Sequence, residues 1–163
     1  MSKTIVVYFS AQGHTRRIAD RIAQNLGADS FEIKPKTPYS DFDLVWQSED
    51  ARATREFNNL TSRDIELTTT DVPNWDSYDT VVICYPVWWG IAAWATNSFV
   101  KAVNWEGKTV WPCAVSHSSG VGESAQLLAK DANGGDWKEG FRFYQDASST
   151  DTEAYANRVR NNG

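Results

Sequence analysis

Residues 80–90 read TVVICYPVWWG. Thr80–Tyr85 is an unbroken run of β-branched and apolar side chains of strand length, the pattern of a strand buried on both faces. Pro86 fixes its own φ and holds Tyr85 extended, which ends the strand. Two tryptophans follow on a turn, and Gly90 allows the open backbone a turn requires. Adjacent indoles on a tight loop cannot both face inward. One packs on the core and the other presents its ring, where stacking on a flat ligand adds to simple burial. Trp88 is expected toward the ligand, with Trp89 anchoring the loop beside Gly90.

Working outward, Thr4–Phe9 is a second short apolar run and a buried strand. The SAQGHT turn leads into TRRIADRIAQNLG, where Ile18, Ile22 and Leu26 share one helical face and Gly27 stops the helix. Residues 30–34 alternate as a strand. Residues 92–103 read as a helix packed through Trp94, Phe99 and Val103, and residues 108–115 as a fourth strand, with Pro112 suggesting an edge or a bulge. Residues 122–133 form another helix, 137–145 a fifth strand, and 149–163 a last helix capped by Ser149 or Thr150. Strands alternating with helices imply a parallel sheet with right-handed crossovers and helices on both faces. Residues 39–70 fit less regularly. A polar helix from Asp41 to Leu60 and a short edge strand in RDIELTT are expected there, as an insertion packed on the outside of a single domain spanning 1–163.

The chain has 163 residues, a net charge of -5 and 41% hydrophobic residues, which suits one domain with a full core. No apolar stretch is long enough to span a membrane, and the start MSKTIVVYFS lacks the apolar length of a signal peptide. A cytoplasmic protein with no membrane partner is expected. The acidic balance argues against nucleic acid as partner. Cys84 and Cys113 fall in strands and read as buried small hydrophobes rather than a redox pair, and two cysteines with two histidines make no zinc site.

In open parallel sheets ligands bind beyond the carboxyl ends of the strands, so three loops matter. Ser10-Ala11-Gln12-Gly13-His14-Thr15 joins a strand to a helix start and offers hydroxyls, an amide and free backbone N–H groups, a means of holding a phosphate without charged side chains. An ordinary capping turn is the simpler account of the same residues. The Walker pattern is absent, and no cysteine is present there for a phosphatase. Arg16 and Arg17 read as solvated helix residues. The second loop is the tryptophan turn. The third, Ser116-His117-Ser118-Ser119-Gly120-Val121-Gly122, is small and polar. Its Gly120-x-Gly122-x-x-Ala125 matches a dinucleotide fingerprint, but the first glycine does not follow its strand at once, and too little chain remains after Asp146 for such a domain.

YFSAQGHTRRIA (8–19), YDTVVICYPVWWG (78–90) and SHSSGVGES (116–124), in this order on a five-strand α/β pattern, resemble the flavodoxin family, in particular a bacterial branch with a tryptophan pair after the third strand. The resemblance implies a flavodoxin-like three-layer sandwich with a five-stranded parallel sheet in the order 2-1-3-4-5, and one non-covalent FMN. By position, Ser10, Gln12, Gly13, His14 and Thr15 would hold the phosphate. Pro86, Val87, Trp88, Trp89 and Gly90 would lie along the isoalloxazine, and Ser116, His117, Ser118, Gly120, Val121 and Gly122 would close the other side. Trp46 or Trp75 would be candidates for its outer face. The implied function is electron transfer through FMN to a partner protein or a small-molecule acceptor, by a monomer or weak dimer. The alternatives are an NAD(P)H-dependent quinone or flavin reductase and a cofactor-free interaction domain. His14 stands where the family usually has asparagine, His117 stands in a loop usually rich in glycine, and IAAW lacks the proline common after Gly90. Both histidines of the chain thus fall in candidate flavin loops, where an imidazole would couple binding to pH; chance placement explains them as simply.

Overall fold

The computed structural model describes residues 3–162; Met1, Ser2 and Gly163, the ends of the expected domain, lie outside it. The strands are β1 (Thr4–Tyr8), β2 (Asp29–Glu32), β3 (Thr80–Trp88), β4 (Ile91–Ala92), β5 (Thr109–Ser116), β6 (Asp136–Trp137) and β7 (Phe141–Tyr144). The helices are α1 (His14–Leu26), α2 (Arg52–Asn58), α3 (Trp94–Ala102), α4 (Ser124–Asp131) and α5 (Ser149–Asn162). The sheet runs β2-β1-β3-β5, with β6 and β7 both on the far edge of β5, and every pairing in it is parallel. This is the expected 2-1-3-4-5 order, with the fifth strand in two pieces. β4 is separate: it folds back antiparallel on the end of β3.

The period of two along each strand divides the core. Ile5, Val7 and Phe9, with Val81, Ile83 and Tyr85, face α3 and Leu128 of α4. Val6, Tyr8, Val82, Cys84, Trp111 and Cys113 face Ile18 and Ile22 of α1 and Tyr155 and Val159 of α5. Cys84 and Cys113 are buried register partners on neighbouring strands, and burial pushes the Cys113 thiol well above its ordinary range, as suits core side chains. No helix of the described residues is long and apolar enough to cross a membrane.

Pro112 lies inside β5, not at an edge or a bulge. Lys138 N–H donates to the Val110 carbonyl (2.8 Å), so residues 110 and 112 direct their backbone groups toward the fifth strand. That strand is broken between Trp137 and Phe141, so the missing proline donor falls where no partner strand runs. At the last helix Ser148, one residue before the expected cap, exchanges bonds with Asp151 (3.1 and 3.2 Å) in a capping box. α1 ends as expected: Gly27 is left-handed (φ 62°), and Ala28 N–H reaches back to the Ala23 carbonyl at 2.9 Å.

The expected helix from Asp41 to Leu60 does not form. Short polar side chains divert the backbone: Ser40 and Asp43 cap each other (2.8 and 3.2 Å), and Ser48 Oγ accepts from Asp50 N–H (3.2 Å). A 3-10 turn (Phe42–Leu44), the short α2 and a second 3-10 turn (Leu60–Arg63) result. RDIELTT supplies one antiparallel bridge, Leu67 with Pro35, rather than a strand; Lys36 N–H donates to the Glu66 carbonyl and Thr68 N–H to the Lys34 carbonyl, both at 2.8 Å.

Candidate functional site

β1, β3 and β5 end side by side, and the three loops that follow surround one cleft of about 560 Å³, within the usual range of ligand pockets. Gln12, His14 and Thr15 line it from the first loop, Pro86, Val87, Trp88 and Trp89 from the second, and Ser116, His117 and Ser118 from the third. No lining residue is Asp, Glu, Lys or Arg. The cleft therefore holds no carboxylate to repel an anion and no lysine or arginine to pair with it.

The first loop is shaped for an anion. Gly13 is left-handed (φ 93°), and its N–H is accepted by Ser10 Oγ at 3.1 Å. α1 starts without a side-chain cap, and its first intrahelical bond runs from Arg17 N–H to the Gly13 carbonyl (3.1 Å). The amides of His14, Thr15 and Arg16 are thus left without helical acceptors, with the positive end of the helix dipole behind them. A phosphate fits that donor set. Ser10 and Gly13 shape the loop rather than line the cleft. The arginines turn away: Arg16 pairs with Glu32 (2.5 Å), and Arg17 donates to the carbonyls of Ala147 (3.0 Å) and Gln145. Arg17 is thus a partly buried tether and not merely a solvated residue.

The second loop is a two-residue hairpin. Trp88 pairs with Ile91, and Trp89 (φ 49°) and Gly90 (φ 80°) between them follow the type I′ pattern. A tryptophan in that region is strained, and its partners hold it: Trp89 lies flat on Phe57 of α2 (4.5 Å, 6°) and nearly parallel to Trp94 (5.9 Å, 20°). Trp88 is wedged edge-on against Trp94 (5.0 Å), Tyr39 (5.2 Å) and Phe9 (5.9 Å). Both rings line the cleft, but Trp88 is the one built into the core contacts and Trp89 the more exposed, at 37%. The anchoring role expected of Trp89 is thus filled by Trp88.

The third loop is held from below. Tyr85 Oη and Ser124 Oγ bond at 2.8 Å, and Ser124 Oγ bonds the Val121 carbonyl at 2.6 Å. Burial raises the Tyr85 phenol and keeps it protonated. Ser116 donates to the Ser119 carbonyl. Gly90, Gly120, Val121 and Gly122 do not line the cleft; a Cβ on Gly140 would meet Val121 Cγ1 at 2.8 Å, so Val121 packs beneath the loop.

Sequence reasoning missed three groups of lining residues. Ala11, Val115 and Ser119 lie within or beside the loops singled out. Gln145 follows β7, and its place became visible only with the split fifth strand. Leu44 and Ala53 come from the 39–70 segment, as does Trp46, one of the two outer-face candidates; the other, Trp75, packs against Trp105 (5.1 Å) and Phe99 (6.1 Å), away from the cleft. The segment is fixed by Glu56. Its carboxylate, 8% exposed, accepts from Tyr39 Oη (2.5 Å), Trp94 Nε1 (2.9 Å) and Arg52 Nε (3.0 Å). Burial first, and then this bond, raise the Tyr39 phenol far above its ordinary range. Among the described residues no group of three or more His, Cys, Asp or Glu is placed to hold a metal ion.

An open parallel sheet, with a crevice at its carboxyl edge that pairs a helix N-terminus with an aromatic turn, defines a doubly wound α/β protein with its candidate ligand cleft beyond the strand ends. The sequence model of the flavodoxin family matches residues 3–159, and the chain belongs to that family. A candidate flavoprotein from Bacteroides eggerthii shares 34% identity, with 98% of this chain and 99% of that one covered and a TM-score of 0.86. Another from Bacteroides uniformis shares 31% over 96% and 98%, with a TM-score of 0.87. A flavoprotein from Lactobacillus acidophilus, solved in complex with FMN, has the same fold at 21% identity, with 94% and 99% covered and a TM-score of 0.63. Among curated proteins no sequence matches significantly.

Proposed function

We propose that this protein binds one FMN non-covalently and serves as an electron carrier, passing electrons to a partner protein or a small-molecule acceptor. One observation carries the reading: the unbonded amides at the start of α1 and the Trp88–Trp89 turn face the same cleft, which no Asp, Glu, Lys or Arg lines. The phosphate would sit on Gln12, His14 and Thr15, in the loop that Ser10 and Gly13 shape, held by neutral donors and the helix end. The ring would lie along Pro86–Trp89, with Ser116, His117 and Ser118 on the other side and with Gly90 and the Gly120–Gly122 turn supporting the two loops from behind. The flavin, when bound, supplies the redox chemistry, and the chain binds it, orients it and keeps water from its ring. The FMN complex of the Lactobacillus acidophilus relative supports this choice of ligand.

Titrating the purified protein with FMN and with riboflavin tests the reading. We expect saturable uptake of one FMN per chain, with riboflavin weaker because it lacks the phosphate. A protein that takes up no FMN overturns it. A steady-state assay of the loaded protein with NADPH and a quinone then separates carrier from reductase: slow turnover fits the carrier, and rapid turnover by the isolated protein rejects it.

A further inference from the structure

Trp46 stands apart from the other aromatic residues of the cleft. Trp88 is committed edge-on to Phe9, Tyr39 and Trp94, and Trp89 has one face on Phe57. Trp46 lines the same cleft, is 64% exposed, and stacks on no ring among the described residues. Solvent-exposed indole at the rim of a concave site is a poor use of a large apolar side chain unless something covers it.

Its position is built rather than slack. The buried Thr54 on α2 donates from Oγ1 to the Trp46 carbonyl (3.3 Å), and α2 is in turn held by the Glu56 carboxylate against Trp94 and Tyr39. On the other side the Ser40–Asp43 pair fixes the turn that precedes it. Leu44 and Ala53, also from outside the three loops, extend the same apolar wall.

We propose that Trp46 is a ligand-positioning residue: it lies against the ring system of the bound flavin, shields it from water and slows its release. The inference rests on the FMN reading above. It assigns the 39–70 segment a part in the site, where the three loops at the strand ends would otherwise suffice.

FMN and riboflavin titrations of wild type, Trp46→Ala and Trp46→Phe test it, with dissociation rates measured on dilution. Trp46 is exposed, so both variants should fold, and their far-UV circular dichroism checks this. We expect Trp46→Ala to weaken FMN by about three- to tenfold, mostly through faster release, the size of one aromatic contact. Riboflavin should weaken by the same factor, since the contact is with the ring and not the phosphate. Trp46→Phe should stay within about twofold of wild type, because it keeps an aromatic face. Wild-type affinity and release rate in Trp46→Ala overturn the proposal, as does a Trp46→Phe variant as weak as Trp46→Ala, or a loss confined to FMN. A wild-type protein that binds neither flavin overturns the FMN reading itself, whereas tight wild-type binding with unchanged variants overturns the role of Trp46 alone.

Discussion

Gly122 packs against Gly90 so closely that a Cβ added to it would lie 2.5 Å from the Gly90 carbonyl oxygen. The third loop thus rests directly on the tryptophan turn, backbone to backbone, and Gly122 itself is left-handed (φ 57°). Gly122→Ala must both adopt a strained φ and displace the turn. We expect a loss of about 2–3 kcal/mol in urea unfolding of the apoprotein, together with weaker FMN binding. Gly120→Ala is the control: its Cβ meets nothing within 4 Å and its φ is unrestricted, so it should stay within about 0.5 kcal/mol of wild type.

The two tryptophans should separate by stability. Trp88 contacts three rings, and Trp88→Ala leaves a void among them, expected to cost about 2–4 kcal/mol. Trp89→Gly loses the stack on Phe57 but relieves the positive φ, two effects of about 1 kcal/mol each and of opposite sign. Its unfolding midpoint should lie close to wild type. Equal large losses in both variants would show that Trp89 also anchors the core.

Those contacts mark how far the sequence could be read. The sheet was legible because β1, β3 and β5 carry their burial in local pattern, and the loops were legible because Gly13 and the small polar residues after Ser116 follow strands. Pro86 marked the end of β3 too early, since the strand runs on through it to Trp88, with Pro86 beside Val115 and Val87 and Trp88 pairing with β4. The 39–70 segment was not. Its shape depends on Glu56 meeting Tyr39 and Trp94, partners 17 and 38 residues away, and no periodicity announces such a network. The break in the fifth strand was hidden for a similar reason: it answers to Pro112 on the neighbouring strand. Trp88 and Trp89 are indistinguishable as neighbours in sequence, and only the hairpin turn decides which ring enters the aromatic cluster.

Glu56 gives the third prediction. Glu56→Ala strands the Tyr39 hydroxyl and the Trp94 indole N–H without an acceptor in a buried place, and should cost about 2–4 kcal/mol in denaturant unfolding. Both donors meet the same oxygen, Oε1, so Glu56→Gln can keep them on its amide oxygen and loses the acceptor for Arg52 Nε; it should lose roughly half as much. Because α2 carries Phe57 and Thr54, both variants should also change the near-UV circular dichroism of the tryptophans. Stability equal to wild type in Glu56→Ala would show that the 39–70 segment is held by its apolar contacts alone.

Alkaline pH tests the far end of the sheet. Tyr78 donates to Asp29 Oδ2 at 2.6 Å, and this bond, aided by burial, pushes its pKa up to about 12 from an ordinary 10.0. The folded state holds the phenolic proton more tightly than the unfolded chain, so the contribution to stability is complete below pH 10. It is lost as pH rises from 10.0 to about 12, where the unfolded phenol ionises first. Denaturant unfolding at steps between pH 9 and pH 12 should therefore show stability falling across the upper part of that window. Tyr78→Phe starts lower, having lost the bond to Asp29, but removes this ionisation and should fall less steeply. The buried phenols of Tyr8, Tyr39, Tyr85 and Tyr155 are raised as well and leave a residual slope in the variant. An identical slope in wild type and Tyr78→Phe would assign the alkaline loss to those four phenols and remove Tyr78 from it.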